Sequence, residues 1–182
     1  MRITIILAVL FISNAAIAQK YFTKTGHISF FSSTPLENIE ANNYQSTSVI
    51  DFSTGEMVFS LLMKGFEFEK ALMQEHFNEK YVESDQFPKA TFKGNIVNFK
   101  SVNLKKDGVY KVQVTGEMTI HGVTKTVKSE GTLEVKAGKI IGISTFKIPL
   151  KDYNINVPSL VSDKIASEMT IKVKMNYSEL KK

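Results

Sequence analysis

The chain has 182 residues, with 23 Lys and Arg against 18 Asp and Glu, and a formal net charge of +5. It contains no cysteine, which excludes thiol catalysis, disulfide exchange and zinc sites built from cysteine. Arg2 is the only arginine, and the lysines are scattered singly or in pairs. Proteins that bind nucleic-acid phosphates usually rely on the two-pronged arginine side chain. We therefore expect no nucleic-acid partner and at most peripheral contact with a membrane.

The N-terminal segment has the three parts of a secretory signal peptide. Residues 1–2 supply a positive charge, residues 3–12 are nearly all apolar, and residues 16–18 read Ala-Ile-Ala, a small-x-small cleavage site. The apolar run is too short to span a bilayer comfortably. We expect residues 1–18 to be a cleaved signal peptide, residues 19–182 to form a single domain, and the protein to be periplasmic or secreted.

The rest of the chain is dominated by alternation of apolar and polar residues, the period of a half-buried strand. The longest alternating runs lie at residues 110–120 and 167–177. The other predicted strands lie at residues 56–64 and 90–99, and near 27–31, 45–52, 123–136 and 139–150. Glycine-containing turn signals separate several of them, so the pattern predicts about eight mostly antiparallel strands.

Residues 67–80, EFEKALMQEHFNEK, interrupt the strand pattern with good helix formers and no Gly or Pro. They predict one short helix between the third and fourth strands. One face of the predicted helix comprises Phe68, Ala71, Leu72 and Glu75, with Met73 and Phe77 nearby. Such a helix could act as a lid or a plug.

Eight consecutive strands with one apolar face favour a closed barrel over a sandwich, because tight hairpins join them and closure removes exposed edges. We therefore predict an all-β fold, an eight-stranded antiparallel barrel with one short helix. The interior of a barrel of this size is filled by side chains or holds one slender ligand.

The stretch GEMTIHGVTK, residues 116–125, raises the question of whether His121 has a chemical role. As a two-residue hairpin loop, His121-Gly122 would place Ile120 opposite Val123. Histidine is among the residues enriched at the positive φ that such loops need. No G-x-S-x-G sequence supplies a nucleophile, and the histidines lack metal-ligand spacing. We interpret His121 as a turn residue, with a polar contact at a ligand mouth left open, and expect no catalytic or metal-binding residues.

Five segments taken together resemble one known family. They are GHISFFSSTPLENIEANN (26–43), ALMQEHF (71–77), PKATFKG (88–94), GEMTIHGVTK (116–125) and DYNINVP (152–158). In this order they resemble the YceI-like family of exported bacterial proteins, also called the polyisoprenoid-binding family. The resemblance implies an extended lipocalin-like barrel with a helical segment beside it and an elongated apolar channel. Its members hold polyisoprenoid-type lipids such as a quinone tail.

The candidate ligand-binding residues come from the alternation of the strands and from the predicted helix. Methionine is flexible and polarizable and suits a pocket for a floppy chain, although the same residues could pack a filled core. Tyr153 is included because its hydroxyl could reach a ligand head group, the alternative being an irregular connection before the last strand. The candidates are Met57, Phe59, Met63, Phe68, Leu72, Phe77, Phe92, Met118, Phe146, Ile148, Tyr153, Met169 and Ile171.

The leading hypothesis is an exported binding protein that holds a long apolar lipid of polyisoprenoid or isoprenoid-quinone type, for carriage or sequestration. It would need no catalysis and no cofactor other than such a bound lipid or quinone, and would act as a monomer or homodimer. Two alternatives stay open: a solid-barrel interaction module that acts through its surface, and an enzyme on a lipid-like substrate. The scarcity of titratable inward residues argues against the enzyme.

Overall fold

The computed structural model describes residues 20–180. Its strands are β1 (Lys20–Ser33), β2 (Asn38–Asp51), β3 (Glu56–Leu62), β4 (Glu67–Phe68), β5 (Lys89–Ile96), β6 (Gly108–Ile120), β7 (Val123–Lys136), β8 (Lys139–Pro149) and β9 (Glu168–Glu179). The sheet order is β1-β9-β8-β7-β6-β5-β3-β2, every pair is antiparallel, and β1 pairs with β2 to close the barrel. The predicted eight-stranded antiparallel barrel is confirmed. The two-residue β4 is an addition that pairs with β2.

The connections between strands fall at two ends of the barrel. The mouth end carries residues 34–37, 63–88, 121–122 and 150–167, and the far end carries residues 52–55, 97–107 and 137–138. Short 3-10 turns lie at Met63–Gly65, Leu150–Tyr153 and Ser159–Val161 at the mouth end, and at Phe99–Ser101 at the far end. Buried side chains fill the barrel toward the far end, namely Ile50, Phe52, Ile96, Val135, Ile140, Met175 and Tyr177.

The helical segment differs from its prediction in both length and phase. The α-helix α1 covers only Ala71–His76 and continues as a π-helical turn, Phe77–Tyr81. The predicted start at residue 67 is wrong, because β4 pairs with Ala41 and Asn42 of β2. The predicted grouping of Phe68 with Ala71, Leu72 and Glu75 on one helix face is wrong for the same reason, because Phe68 lies in β4 and the helix begins only at Ala71.

The inner face of the helical segment is instead formed by residues spaced three and four apart. Ala71, Leu72 and Glu75 are exposed, whereas Met73, His76 and Phe77 face the barrel interior.

The β6–β7 hairpin has the predicted register. Ile120 pairs with Val123, and the ladder continues without a shift to Gly108 and Val135. His121 has φ 50° and Gly122 has φ 72°, the positive values that a two-residue hairpin loop requires. The interpretation of His121-Gly122 as a hairpin turn is confirmed.

The first two strands are longer than predicted. Their pairing register shifts between Thr23 and Gly26 and again between Gly26 and Ile28. Such irregularities interrupt the alternation of side chains between the two faces, so the period-two pattern marks only part of each strand. A Cβ at Gly26 would collide with the sulfur of Met175, so a larger residue there would force that buried side chain to move.

The barrel wall separates between β7 and β8 at the mouth end. Their pairing joins Gly131–Lys136 to Lys139–Ser144 and stops there, so residues 123–130 and 145–149 run apart. The 3-10 turn Leu150–Tyr153 approaches β7 at this point, where the carbonyl of Tyr153 lies 3.1 Å from His121 Nδ1.

The predicted signal peptide, residues 1–18, lies outside the described residues. Within residues 20–180, no helix has the length and the hydrophobicity needed to cross a bilayer.

Candidate functional site

The barrel encloses a cavity of about 390 Å³ whose lining extends from Met57 and Tyr177, toward the far end, to the mouth end. Inward-facing side chains of all eight barrel strands contribute to its wall, and most of them are apolar. The helical segment and residues 150–167 lie over its opening. Because strands project alternate side chains inward, a local alternation in sequence becomes a continuous apolar lining once the barrel closes.

Eleven of the thirteen candidate residues line this cavity: Met57, Phe59, Met63, Phe68, Phe77, Phe92, Met118, Phe146, Ile148, Met169 and Ile171. The other two do not. Leu72 points outward from α1 and is 60% exposed. Tyr153 is buried in the connection that follows β8, outside the lining.

Tyr153 is a packing residue of an irregular connection, the alternative that the sequence had left open. Its hydroxyl has no hydrogen-bond partner among residues 20–180. Burial, with the nearby Asp152 carboxylate as a second cause, raises the pKa of Tyr153 to about 12. The hydroxyl is therefore a neutral group surrounded by protein.

An aromatic cluster holds the helical segment against the barrel. It consists of Phe30 of β1, Phe66, Phe68 of β4, and Phe77, and its ring centroids lie 5.1 to 5.7 Å apart. All four rings also line the cavity. Aromatic pairs at these separations attract one another beyond their burial, so the cluster serves as both cavity wall and anchor.

The acidic, basic and histidine residues of the lining are confined to the mouth end. They are Glu37, His76 and Lys164. Glu37 lies 3.2 Å from Lys70 Nζ, an ion pair that joins the β1–β2 turn to the start of α1. An apolar chain could therefore occupy the cavity while a polar group stayed near these side chains at the opening.

Two serines form a polar spot in the wall where β7 and β8 begin to separate. Ser129 Oγ and Ser144 Oγ lie 2.8 Å apart, and Ser144 donates a hydrogen bond of 2.6 Å to the Glu130 carbonyl. No histidine or carboxylate side chain bonds to them among residues 20–180. Both hydroxyls take part in these structural hydrogen bonds.

Several lining residues were not among the candidates. Val114 and Ile120 share the inward face of β6 with Met118, and the same alternation could have identified them. Phe30 and Phe66 could not have been assigned, because β1 is irregular and Phe66 lies in a connection.

An eight-stranded antiparallel barrel around an apolar interior defines a lipocalin-like fold. The sequence matches the family described as YceI-like domain over residues 18–177. The chain belongs to this family, and the resemblance found in the five sequence segments is confirmed. No significant similarity to a curated protein was found.

Solved structures share the fold. The chain is similar to a polyisoprenoid binding domain from Saccharophagus degradans implicated in plant cell wall breakdown, with a TM-score of 0.78 and 13% identity over 90% of this chain and 99% of that one. It is similar to BcnA of Burkholderia cenocepacia, with a TM-score of 0.69 and 17% identity over 84% and 96% of the two chains. For the YceI protein of Campylobacter jejuni the TM-score is 0.50 and the identity 15%, over 100% and 94%. At these identities the similarity establishes the fold.

Proposed function

We propose that the protein binds one long, slender apolar lipid inside the barrel, for carriage or sequestration, and catalyses no reaction. The observation that carries this proposal is the apolar cavity of about 390 Å³ with its glutamate, histidine and lysine side chains confined to the mouth end. Its volume lies within the range of small-molecule sites in proteins. Burial of an apolar chain contributes about 25 cal/mol per Å², so affinity needs few polar contacts.

The class of lipid that we propose is a polyisoprenoid or an isoprenoid quinone. It is supported by membership in the YceI-like family and by the polyisoprenoid binding domain that shares the fold. The narrow interior of an eight-stranded barrel accepts one chain at a time. The flexible methionines of the lining, Met57, Met63, Met118 and Met169, can adjust to the methyl branches of such a chain.

In the bound state we place the tail against the eleven lining candidates and the polar group at the mouth. Phe92 and Met118 pair across β5 and β6 and would contact the middle of the chain. Lys164 and His76 would lie near the polar group. Export to the periplasm or beyond is part of the proposal and is supported by the signal-peptide pattern of residues 1–18.

The two alternatives make different demands on the barrel interior. A solid-barrel interaction module needs no cavity, and the cavity described above argues against it. An enzyme needs an activated group in the cavity, and within residues 20–180 the inner hydroxyls of Ser129 and Ser144 bond only to each other and to the backbone.

Native mass spectrometry tests the proposal. The full chain, exported and purified without detergent, is offered a long-chain isoprenoid quinone and examined before and after organic extraction. We expect one quinone per protomer, and the same spectra show whether the protein is a monomer or a homodimer. A wild-type protein that takes up neither quinone nor prenol would show that the barrel does not serve as a lipid carrier.

Blocking variants locate the binding site within the barrel. Met118→Trp and Phe92→Trp place a larger ring in the cavity, and each should lower quinone occupancy at least about tenfold by removing the space for the chain. Glu117→Trp and Lys93→Trp are the matched controls, because each alters the adjacent, exposed residue of the same strand. Equal loss in variants and controls would place the lipid elsewhere.

A further inference from the structure

We propose that the mouth end docks on a lipid bilayer through three exposed leucines, Leu36, Leu72 and Leu160, so that a lipid passes between the bilayer and the cavity without crossing water. The inference rests on the proposed function in one respect, namely that the cavity holds an apolar lipid. The docking itself concerns a separate surface and can be tested on its own.

The three leucines are highly exposed, and all lie at the same end of the barrel. Leu36 is 67% exposed in the β1–β2 turn, Leu72 is 60% exposed on α1, and Leu160 is 95% exposed in the turn Ser159–Val161. Single exposed apolar residues are common on protein surfaces. These three are distinguished by their place, on separate connections around the opening through which an apolar ligand would enter the cavity.

Each leucine is the direct neighbour in sequence of a residue that lines the cavity. Within each pair, one side chain points toward the cavity and the leucine points away from the barrel. The leucines therefore mark the rim of the opening. The lining neighbours are Glu37, Met73 and Val161.

Hydrogen bonds and an ion pair hold the three connections together. Lys70 Nζ lies 3.2 Å from Glu37 Oε1, which joins the helical segment to the turn of Leu36. The backbone N–H of Ala166 donates to Ser32 Oγ at 2.9 Å, which joins the connection of Leu160 to the end of β1. The rim is thus one surface rather than three independent loops.

The distribution of the leucines over three separate connections fits a bilayer better than a protein partner. A stable protein interface buries about 800 Å² on each side around a contiguous apolar core. The leucines stand on three separate connections, and polar residues accompany them in sequence, such as Glu37 after Leu36 and Asp163 in the connection of Leu160. A bilayer is fluid, so separate side chains can insert among its lipids without a matching rigid surface.

The charge of the mouth end indicates whether docking needs anionic lipids. In residues 34–37, 63–88 and 150–167, carboxylates outnumber lysines, so no electrostatic attraction to anionic lipid is expected there. The far end has the opposite balance, with Lys100, Lys105 and Lys106 against Asp107 in residues 97–107. Leucine-driven docking should therefore occur on uncharged phosphatidylcholine and change little with salt.

Tryptophan fluorescence tests which end meets the bilayer. The chain has no tryptophan, so Leu160→Trp introduces a single reporter at the mouth end. Val109→Trp is the matched reporter at the far end, where Val109 is 66% exposed. On adding phosphatidylcholine vesicles to the full chain, we expect the emission of Leu160→Trp to shift to shorter wavelength, and that of Val109→Trp to stay unchanged.

Vesicle co-sedimentation measures the contribution of the leucines. Replacing Leu36, Leu72 and Leu160 together by serine should weaken partitioning onto phosphatidylcholine vesicles at least about tenfold. The control variant Val97→Ser with Val109→Ser removes side chains that are 60% and 66% exposed at the far end, and it should partition like the wild type. All five positions are exposed, so the barrel should stay folded, which circular dichroism checks.

Three results would overturn the docking proposal: a shift of Val109→Trp instead of Leu160→Trp, binding that needs phosphatidylglycerol and disappears in salt, or unchanged partitioning of the leucine variant. Quinone uptake from aqueous dispersion separates this failure from failure of the proposed function. We expect the leucine variant to take up dispersed quinone like the wild type but to acquire it from vesicles at least about tenfold more slowly. A wild type that takes up quinone while docking fails would leave the carrier intact.

Discussion

His121 Nε2 lies 2.8 Å from Oε2 of Glu83, a residue 38 positions earlier in the chain. Its Nδ1 lies 3.1 Å from the carbonyl oxygen of Tyr153. The ring of Phe87 packs edge-on against the imidazole at 4.7 Å. One turn residue therefore joins the β6–β7 hairpin to the two connections that cover the cavity.

Replacing His121 by asparagine separates the role of its side chain from that of its backbone. Asparagine tolerates the positive φ of this position but cannot reach both partners. We expect the free energy of unfolding, measured in urea, to fall by about 1–3 kcal/mol. Amide hydrogen exchange should accelerate in residues 77–87, and quinone affinity should be nearly intact.

The tight loop between β7 and β8, residues 137–138, supplies the control for His121→Asn. Ala137 has φ 48° and begins the loop between β7 and β8, and its methyl group forms no hydrogen bonds. Ala137→Asn should leave stability equal or slightly higher. If His121→Asn were as stable as the wild type, the bonds to Glu83 and Tyr153 would contribute nothing to the free energy of unfolding.

Gly116 permits the close approach of β5 and β6. It pairs with Gly94, and a Cβ on Gly116 would press on the Lys93 carbonyl, lie 2.5 Å from Gly94 Cα and 2.7 Å from the ring of Phe92. Gly116→Ala should therefore lower the free energy of unfolding by about 1–3 kcal/mol, as measured in urea.

The control for Gly116→Ala lies on the same strand. A Cβ on Gly108 would meet only the ring of Tyr110, at an ordinary 3.6 Å or more, so Gly108→Ala should have little effect. Equal losses at the two positions would mean that glycine matters in β6 only through general strand propensity.

Tyr177 makes the barrel sensitive to alkali. Its hydroxyl is buried 2.8 Å from Ser48 Oγ, and burial raises its pKa well above 10, although the Ser48 hydrogen bond opposes the shift. Above about pH 10 the unfolded chain loses this proton while the folded protein keeps it. Stability should therefore fall as pH rises from about 10 toward the folded pKa, by at most about 1.4 kcal/mol per pH unit from this group.

The alkaline effect can be measured as urea stability against pH between about 9 and 12. Tyr177→Phe should be less stable at neutral pH, because Ser48 loses its partner, but its stability should decline less steeply in alkali. Tyr44→Phe, at a residue that is 52% exposed, should keep the wild-type slope. An unchanged slope in Tyr177→Phe would assign the alkaline loss to other groups.

Phe77 should govern how firmly the helical segment covers the cavity. Its ring contacts Phe30, Phe66 and Phe68. Phe77→Ala should lower the free energy of unfolding by about 2 kcal/mol or more and should speed quinone release, followed by transfer to acceptor vesicles. Phe77→Leu preserves much of the apolar contact and should lie between the alanine variant and the wild type. Normal release from Phe77→Ala would mean that the segment does not limit release.

The sequence by itself determined the long strands, the hairpin at His121 and the antiparallel barrel. These features follow from neighbours in the chain: alternation fixes which face each residue of β6 presents, and positive φ at His121-Gly122 fixes the register with β7. Irregular β1 and β2 were recognised only in part, because their register shifts break the alternation from which strands are read.

Tertiary structure alone decided the rest. Phe68 in β4 pairs with Ala41, so α1 begins only at Ala71. On this helix Met73 faces the cavity and Leu72 faces outward. The contact of His121 with Glu83 joins residues far apart in the chain, so no local sequence pattern predicts it. Whether inward side chains fill a barrel or leave a cavity depends on how their volumes add up in three dimensions. Alternation in sequence gives the direction of each side chain but not the space left between them.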